Sequence, residues 1–201
     1  MTGAELIALI SGCLAGLGAV EAFSHRLRLD KIPTRIHVSG TRGKSSVTRL
    51  IAAGLTEAGI PTAAKTTGTL ARMVLPDSSE IPIFRPSGAN ILEQVRIISA
   101  AADMNVKAIV MECMALQPEL HWLSESKMVR ATHGVITNAR ADHLEIMGPT
   151  ETDVALTLAG MIPVKGVLFT AERDHLDVFR MACEDRKTKL VAVDEADIEA
   201  I

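Results

Sequence analysis

A glycine-rich segment of the sequence has the composition of a phosphate-binding loop. Residues 39–46 read SGTRGKSS and include two glycines. Glycines let backbone N–H groups turn inward around phosphate oxygens, and a helix that starts there presents its positive end to them. Lys44 is placed to reach the β- and γ-phosphates of a nucleoside triphosphate, and the Ser45 hydroxyl to bind Mg²⁺. The general pattern has a glycine where this chain has Val38, and the motif alone does not separate ATP from GTP.

Further polar groups follow two predicted strands. Glu112 ends the apolar run 108–111, and a carboxylate there can hold Mg²⁺ directly or through water. Asp142 and His143 come shortly after the strand 135–137, and a carboxylate can orient a neighbouring histidine as a metal ligand. Ligands of open α/β sheets bind at the carboxyl ends of the strands, so we expect these groups and the glycine-rich loop to share one edge. Four other histidines lack such neighbours and are interpreted as structural: His37, His121, His133 and His175.

Strand-like and helix-like segments alternate from residue 35 onward. This alternation predicts an α/β fold with a mostly parallel, doubly wound sheet. Thr150 and Asp153 have the spacing of a capping box that opens a helix. Residues 67–88 contain three prolines and are expected to be irregular. The predicted strands are 35–38, 63–66, 108–111, 135–137, 167–170 and 190–193, and the predicted helices are 47–58, 91–102, 118–128, 150–161 and 173–185.

The N-terminal part differs from the rest because residues 6–20 carry no charge. A helix of that length reaches about 22 Å, against about 30 Å of bilayer hydrocarbon, and flanking residues can extend it. Basic residues follow, so the positive-inside rule predicts a single cell-membrane anchor at 1–24, a basic linker at 25–34 and a cytoplasmic ATP-binding domain at 35–201. A GxxxG pattern at 12–16 favours helix packing, including self-association. The alternative is a buried or surface-lying apolar helix.

Composition excludes several classes of protein. A length of 201 residues allows one globular domain with a short appendage, and 48% apolar residues exclude a disordered chain. With 21 basic against 24 acidic side chains and 2% aromatic residues, the chain lacks both the charge and the stacking side chains of a nucleic-acid binder. Three distant cysteines indicate neither a disulfide framework nor a zinc cluster. The sequence also lacks an Asn-Lys-x-Asp guanine motif, which argues against a GTPase.

In combination, these motifs resemble the Mur ligase family. Members of that family join amino acids to carboxylates, and their phosphate loop has a short Gly-Thr-x-Gly-Lys-Ser/Thr form, which accounts for Val38. The loop, the strand-end Glu112 and the segment 138–143 occur in the family's order and spacing. Within the family, the sequence is most similar to the ligase subunit of capsular poly-γ-glutamate synthases, and the resemblance covers residues 35–193. The closer likeness is carried by residues 65–73, 112–115 and 142–150.

The resemblance implies an ATP-dependent ligase that forms γ-glutamyl bonds through an acyl phosphate, with ATP and Mg²⁺ as cofactors. It implies catalytic roles for Lys44, Glu112 and His143. Ser45 and Glu112 would hold one Mg²⁺. His143, oriented by Asp142, would contribute to a second metal position. The residues expected to bind ATP are Gly40, Thr41, Arg42, Gly43, Lys44, Ser45, Ser46 and Asn138.

The resemblance also implies partners, and the sequence departs from the family in two ways. Expected partners are glutamate, the growing poly-γ-glutamate chain, integral-membrane synthase subunits and the membrane itself, but not nucleic acid. Residues 66–69 and Arg72 are expected to line the acceptor or nucleotide side. Many Mur ligases hold metal with a carbamylated lysine where this chain has Leu158. The family's C-terminal domain is expected to be missing, so the chain alone would bind ATP and turn over poorly.

Two alternatives stay open at this stage. One is another Mur-type ligase, such as a folylpolyglutamate synthase-like enzyme, although the hydrophobic N-terminal segment argues against it. The other is a non-catalytic nucleotide-binding module of a membrane complex. The expected absence of the C-terminal half keeps that second alternative open.

Overall fold

The computed structural model describes residues 2–68, 70–86 and 88–194. Two expectations fall outside them: Thr69 on the acceptor or nucleotide side, and residues 195–201 of the predicted domain. Among the described residues, the strands are β1 (Thr34–Ser39), β2 (Thr62–Thr66), β3 (Arg72–Val74), β4 (Glu80–Pro82), β5 (Ala108–Glu112), β6 (His133–Ile136), β7 (Val167–Thr170) and β8 (Lys189–Ala192). They form one sheet in the order β4-β3-β2-β5-β1-β6-β7-β8.

The six neighbouring strands β2, β5, β1, β6, β7 and β8 are all parallel, as the alternating sequence pattern predicts. The antiparallel β3 and β4 lie in the segment predicted to be irregular, and that part of the prediction is wrong. Each has only three residues, and β4 is exposed. The two strands are defined by backbone pairing with β2 and by the turn between them. In that turn the Leu75 N–H donates to the Ser79 carbonyl (2.8 Å). Neither feature has a periodic sequence signal.

Helices connect the strands and cover the sheet. They are α1 (Gly3–Asp30), α2 (Lys44–Glu57), α3 (Glu93–Asp103), α4 (Pro118–Leu123), α5 (Leu144–Met147), α6 (Glu151–Ala159) and α7 (Leu176–Asp185), and a π-helical turn at Ser124–Val129 continues α4. The predicted capping box of α6 is confirmed. The Thr150 Oγ1 accepts from the Asp153 N–H (3.2 Å), and the Asp153 carboxylate accepts from the Thr150 N–H (3.0 Å).

Alternate residues of the central strands pack against different helices. Val110 of β5 belongs to the apolar cluster under α2, whereas Ile109 and Met111 belong to the cluster under α3. Successive side chains of a strand point to opposite faces, so α2 and α3 cover the two faces of the sheet. The sheet is therefore doubly wound, and the predicted fold class is confirmed.

The N-terminal helix continues into the domain instead of giving way to a linker. Residues 25–30, predicted as part of a linker, form its last turns, and the helix ends shortly before Pro33. The ring of His25 donates through Nε2 to the Met128 carbonyl (2.7 Å), and Leu29 is buried in the core cluster of α3. These contacts fix the orientation of the helix through packing that local sequence does not reveal.

The preceding part of α1 extends away from the protein body. Leu14, Leu17 and Phe23 are 64%, 67% and 65% exposed, which excludes the alternative of a buried helix. Among the described residues, α1 is the one helix long and apolar enough to cross a membrane, with a mean hydropathy of 2.0 over its most apolar 18 residues.

Candidate functional site

The candidate site lies where the chain changes direction across the sheet. From β1 the chain passes to β2 on one side, whereas β6 lies on the other, and β1 itself lies between β5 and β6. Val38 of β1 is paired with Glu112 of β5, and Ser39 with Ile136 of β6. The loops after these three strands therefore leave the sheet side by side, at the position where open α/β sheets bind ligands.

The glycine-rich loop adopts a conformation that needs glycine at two places. Gly40 has φ +125° and Gly43 has φ +83°, both in the left-handed region. A Cβ added to Gly40 would collide with the side chain of Thr137, whereas one added to Gly43 meets nothing within 4 Å among the described residues. Because Gly43 carries no side chain that could cap α2, the first N–H groups of this helix have no side-chain cap and are suited to bind an anion.

Asn138 holds this loop in place. Its side-chain oxygen accepts from the Thr41 hydroxyl (2.5 Å) and from the Arg42 N–H (3.1 Å), and its amide group donates to the Arg42 carbonyl (3.1 Å). The Thr41 N–H also donates to the Asn138 carbonyl (3.0 Å). The side chain expected to bind ATP is thus engaged by the loop, and its position supports an indirect role in nucleotide binding.

Lys44 begins α2 and folds back over the loop. Its amine donates to the carbonyls of Gly40 (2.6 Å) and Thr41 (3.2 Å). It lines a cavity of about 60 Å³ whose wall also includes Asp142 and His143. Ser46, in the first turn of the same helix, is exposed.

Ser45 and Glu112 meet at the start of α2. The Ser45 hydroxyl donates to Glu112 Oε2 (2.8 Å), and the same oxygen accepts from the Thr67 N–H (2.7 Å). Glu112 is only 2% exposed. A hydroxyl and a carboxylate in contact provide the hard oxygen donors that Mg²⁺ prefers, and Mg²⁺ takes its other ligands from phosphates and water. This donor set fits Mg²⁺ bound together with a triphosphate.

His143 approaches the same cavity from the β6 side, but Asp142 does not orient it. The Asp142 carboxylate lies 3.7 Å from the Arg42 guanidinium, whereas the His143 ring lies 3.4 Å from Glu145. His143 has a left-handed backbone (φ +47°) at the start of α5, and no hydrogen bond joins its ring to Asp142 among the described residues. That part of the sequence-based prediction is wrong.

A preformed second metal centre is not evident in the described ranges. They contain no group of three or more His, Cys, Asp and Glu side chains that could hold a metal ion. Leu158, at the position of the family's metal-binding lysine, lines the small cavity and is 1% exposed. The side chain of His143 is 46% exposed.

Two buried polar groups of the cavity wall were not singled out from the sequence. Cys113 follows Glu112 and lies 3.7 Å from the ring of His121, which was predicted to be structural. Burial raises the pKa of the Cys113 thiol, but His121 and His37 outweigh it and lower this pKa well below its ordinary value. Burial lowers the pKa of His37, but the nearby Cys113 and the hydrogen bond to Glu125 raise it to about 9. The position of Cys113 directly after Glu112 was the one available sequence signal.

A buried charge network behind Glu112 was also missed. The Lys65 amine is fully buried and lies 2.8 Å from Glu93 and 2.9 Å from the Gln94 side-chain oxygen. Arg85 contacts the same Glu93 with two nitrogens, at 2.6 and 2.8 Å. Burial raises the pKa of Glu93, but Arg85 and Lys65 outweigh it and lower this pKa. The network joins the carboxyl end of β2 to the first turn of α3, next to Glu112.

Sequence comparisons place this geometry in a family. Residues 38–159 match the Mur ligase middle domain. The chain is 41% identical over 199 residues to the capsule biosynthesis protein CapB of Bacillus anthracis, covering 96% of this chain and 43% of that protein. It is 36% identical over 195 residues to the PGA synthase CapB of Bacillus subtilis (strain 168), covering 96% and 50%. The chain thus spans about half the length of these relatives.

Solved structures share the fold at low identity. Mycobacterium tuberculosis folylpolyglutamate synthase complexed with ADP matches with a TM-score of 0.67 and 19% identity, over 88% of this chain and 46% of that chain. The bifunctional folylpolyglutamate synthase/dihydrofolate synthase of Yersinia pestis, complexed with AMPPNP and Mn ion, matches with a TM-score of 0.66 and 16% identity, over 88% and 47%. From the matched middle domain and the identity to the two CapB proteins, the chain belongs to the Mur ligase family.

Proposed function

We propose that this chain is the nucleotide-binding part of an ATP-dependent acid–amino-acid ligase that forms γ-glutamyl bonds in poly-γ-glutamate synthesis. The observation that carries the proposal is the contact between Ser45 and Glu112 at the start of α2, a helix whose first N–H groups have no side-chain cap and can bind phosphate. The substrate class follows from the relatives described as capsule biosynthesis protein and PGA synthase.

The proposed reaction has two steps. A substrate carboxylate oxygen attacks the γ-phosphorus of ATP, which gives an acyl phosphate and releases ADP. The amine of an incoming glutamate then attacks the acyl carbon, loses a proton and displaces inorganic phosphate, which leaves an amide. Negative charge redistributes over phosphate oxygens in the first step, so the chain needs fixed positive groups there.

The side chains around the loop are suited to that task. The Lys44 amine would exchange its contacts with the Gly40 and Thr41 carbonyls for phosphate oxygens of ATP. Ser45 and Glu112 would hold Mg²⁺, and His143, on the wall of the cavity that Lys44 also lines, would contribute a further ligand. When bound, Mg²⁺ neutralises phosphate charge and stabilises the transferring phosphoryl group.

We further propose that α1 anchors the chain in the cell membrane, with the domain in the cytoplasm. Exposed apolar side chains along α1 and the basic residues that follow support this orientation. At Gly12 and Gly16 an added Cβ would meet nothing within 4 Å among the described residues, so this helix face is free to pack against another transmembrane helix. Integral-membrane synthase subunits, or a second copy of α1, are the proposed partners. Glutamate and the growing polymer are the proposed substrates.

Glutamate-dependent ADP release in membranes that contain the chain and its synthase partners tests the ligase assignment. We expect Lys44→Ala and Glu112→Gln each to lower the rate by about 100-fold or more, because Lys44 would neutralise phosphate charge directly and Glu112 would hold the Mg²⁺ that does so. Glutamine retains the acceptor oxygen for Ser45 and Thr67, so the second variant isolates the charge. Lys107→Ala, remote from the loop at the start of β5, is the matched control and should retain wild-type activity.

Wild-type rates in both loop variants would remove the ligase assignment. If the chain binds ATP but glutamate never stimulates ADP release with all partners present, it is a nucleotide-binding module. The anchor is tested separately by extraction of membranes with alkaline carbonate. The full chain should stay with the bilayer, and a variant that lacks the residues before His25 should be released.

A further inference from the structure

A second and larger cavity lies at the opposite edge of the sheet. It has a volume of about 1130 Å³ and lies between the end of α1 and the segments that lead into β1, β6, β7 and β8. Its wall includes three carboxylates, of Asp30, Glu125 and Asp185, and Glu125 is already engaged by His37 (2.8 Å). The basic side chains that line it are Arg26, Arg35, Arg130, Lys165, Arg186 and Lys187. The cavity is therefore positive within a chain whose net charge is −3.

Two of these basic residues belong to the floor of the cavity. Arg35 donates to the carbonyls of Ile32 (2.6 Å) and Arg130 (3.0 Å), and Arg186 donates to the carbonyl of Gly160 (3.0 Å). Carbonyl oxygens fix the guanidinium groups without neutralising their charge. Burial and the neighbouring Arg130 lower the pKa of Arg35, as expected where positive groups are crowded.

The remaining basic residues are exposed and unneutralised. Among the described residues, Arg26, Arg130, Lys165 and Lys187 take part in none of the ion pairs. Their side chains are therefore free to bind an external anion.

Three of them also have a backbone conformation that favours glycine. Arg130, Lys165 and Lys187 have φ values of +47°, +58° and +55°. Residues other than glycine, asparagine and aspartate rarely adopt this conformation. Arg130 and Lys187 follow helical segments, whose dipoles favour a positive charge, but Lys165 lies six residues beyond α6. A lysine at that position is explained better by a requirement for its charge than by stability.

The cavity begins where the apolar part of α1 ends. Arg26 lies three residues after the exposed Phe23, which is about 4.5 Å along a helix axis. Trp122, about half exposed, lines the cavity with Lys127 above its ring at 5.7 Å. Tryptophan beside basic residues is typical of the membrane–water interface. If α1 spans a bilayer, the cavity opens at the level of the lipid phosphates.

We propose that this cavity binds the phosphate of an anionic phospholipid headgroup in the cytoplasmic leaflet. The inference rests on the membrane anchoring proposed above. A lipid is favoured over the polyanionic product because the cavity lies at the amino ends of the strands, away from the loop that would bind ATP. Exposed lysine and arginine side chains can contact the phosphate while Arg35 and Arg186 maintain the positive floor.

Trp122 is the sole tryptophan of the chain and reports directly on this cavity. The full chain is reconstituted into two sets of phosphatidylcholine vesicles. In one set a minor fraction of the lipid is phosphatidylglycerol brominated on its acyl chains, and in the other it is phosphatidylcholine brominated in the same way. Bromine quenches indole fluorescence at short range, so we expect stronger quenching by the phosphatidylglycerol. Lys165→Gln/Lys187→Gln should lower the relative affinity for phosphatidylglycerol at least about five-fold. Lys107→Gln/Arg180→Gln removes the same charge outside the cavity and should retain the preference.

Each contrary result overturns the inference in a distinguishable way. Equal quenching by the two lipids would exclude an anionic headgroup site while leaving the anchor intact. Quenching by neither lipid would place Trp122 away from the bilayer and overturn the inference, whereas the anchor would still stand on carbonate extraction and the ligase assignment on ADP release. If inorganic phosphate or poly-γ-glutamate abolishes the preference at concentrations that leave vesicle binding unchanged, the cavity binds a soluble anion instead.

Discussion

The two edges of the sheet hold their charged groups in different ways. At the carboxyl edge, Glu112 accepts hydrogen bonds from Ser45 and Thr67, and the adjacent cavity has a volume of about 60 Å³. At the amino edge the cavity has a volume of about 1130 Å³, and Lys165 and Lys187 on its wall are exposed. Charges at the first edge are held by protein partners, whereas several at the second face solvent.

This difference indicates two kinds of ligand. A site whose donors already hold one another in place suits a ligand of fixed geometry, such as a metal-bound triphosphate, because little ordering remains to be done on binding. A wide, positively charged cavity suits a mobile anion whose position varies. The comparison predicts that substitutions at the carboxyl edge destabilise the fold, whereas loss of charge at the amino edge does not.

The largest effect on stability is expected at the charge network behind Glu112. Glu93→Gln leaves the fully buried Lys65 without its carboxylate, so the free energy of unfolding should fall by about 3–5 kcal/mol. Denaturant unfolding at pH 7 measures it. Lys65→Met/Glu93→Gln also removes the buried amine and leaves only the more exposed Arg85 without its carboxylate, so it should recover most of the loss. A double variant as unstable as Glu93→Gln would show that the buried lysine is not the cause.

The second largest effect on stability is expected in the glycine-rich loop of the carboxyl edge. Gly40→Ala places a Cβ against Thr137 in a residue with φ +125°. We therefore expect the free energy of unfolding to fall by about 3 kcal/mol and the affinity for ATP to decrease. Gly43→Ala is the matched control, because its Cβ meets no described atom within 4 Å and backbone strain alone should cost about 1 kcal/mol. Equal losses in thermal unfolding would show that contact with Thr137 is unimportant.

Sequence alone predicted those parts of the carboxyl edge that depend on local composition. The glycine-rich loop, the apolar strand before Glu112 and the capping box at Thr150 each have a short-range signal, and the structure contains the corresponding elements. The mostly parallel arrangement of the strands followed from alternation of strands and helices, but their order did not. Such patterns can be predicted because they specify backbone conformation residue by residue.

Contacts between distant segments were not predictable in this way. Asn138 binds a loop almost a hundred positions earlier, and Lys65 is paired with Glu93 across the turn of β3 and β4. Asp142 and His143 are neighbours in sequence, yet Asp142 lies near Arg42 and His143 near Glu145. The membership of Leu29 in the core, which extends α1 beyond its apolar part, also depends on packing.

A smaller effect is expected where the loop after β6 meets that after β7. Glu172 accepts from the N–H groups of Ala139 (2.7 Å) and Asp174 (2.9 Å), so Glu172→Gln should lower the free energy of unfolding by about 2 kcal/mol at pH 7. Burial raises the pKa of Glu172, but these backbone hydrogen bonds outweigh it and lower the pKa.

The sign of that shift sets the pH dependence. A lowered pKa means that Glu172 contributes its full stability above the ordinary carboxyl range, near pH 4.3, and loses it as the pH falls through the lowered value. The difference between wild type and Glu172→Gln should therefore shrink in urea unfolding as the pH is lowered from 7 to below 4. A difference that stays constant with pH would contradict a role for the ionised carboxylate.

The smallest effect, and one of opposite sign, is expected at the amino edge. Lys165→Gly relieves a left-handed backbone at φ +58° and should raise the free energy of unfolding by about 0.5–1 kcal/mol, although it deletes a whole side chain. Lys107→Gly, at a position without positive φ, should lower it by a similar amount. Urea unfolding in neutral detergent measures both variants. A loss in Lys165→Gly would mean that the lysine stabilises the fold, and the contrast between the two edges would then fail at this position.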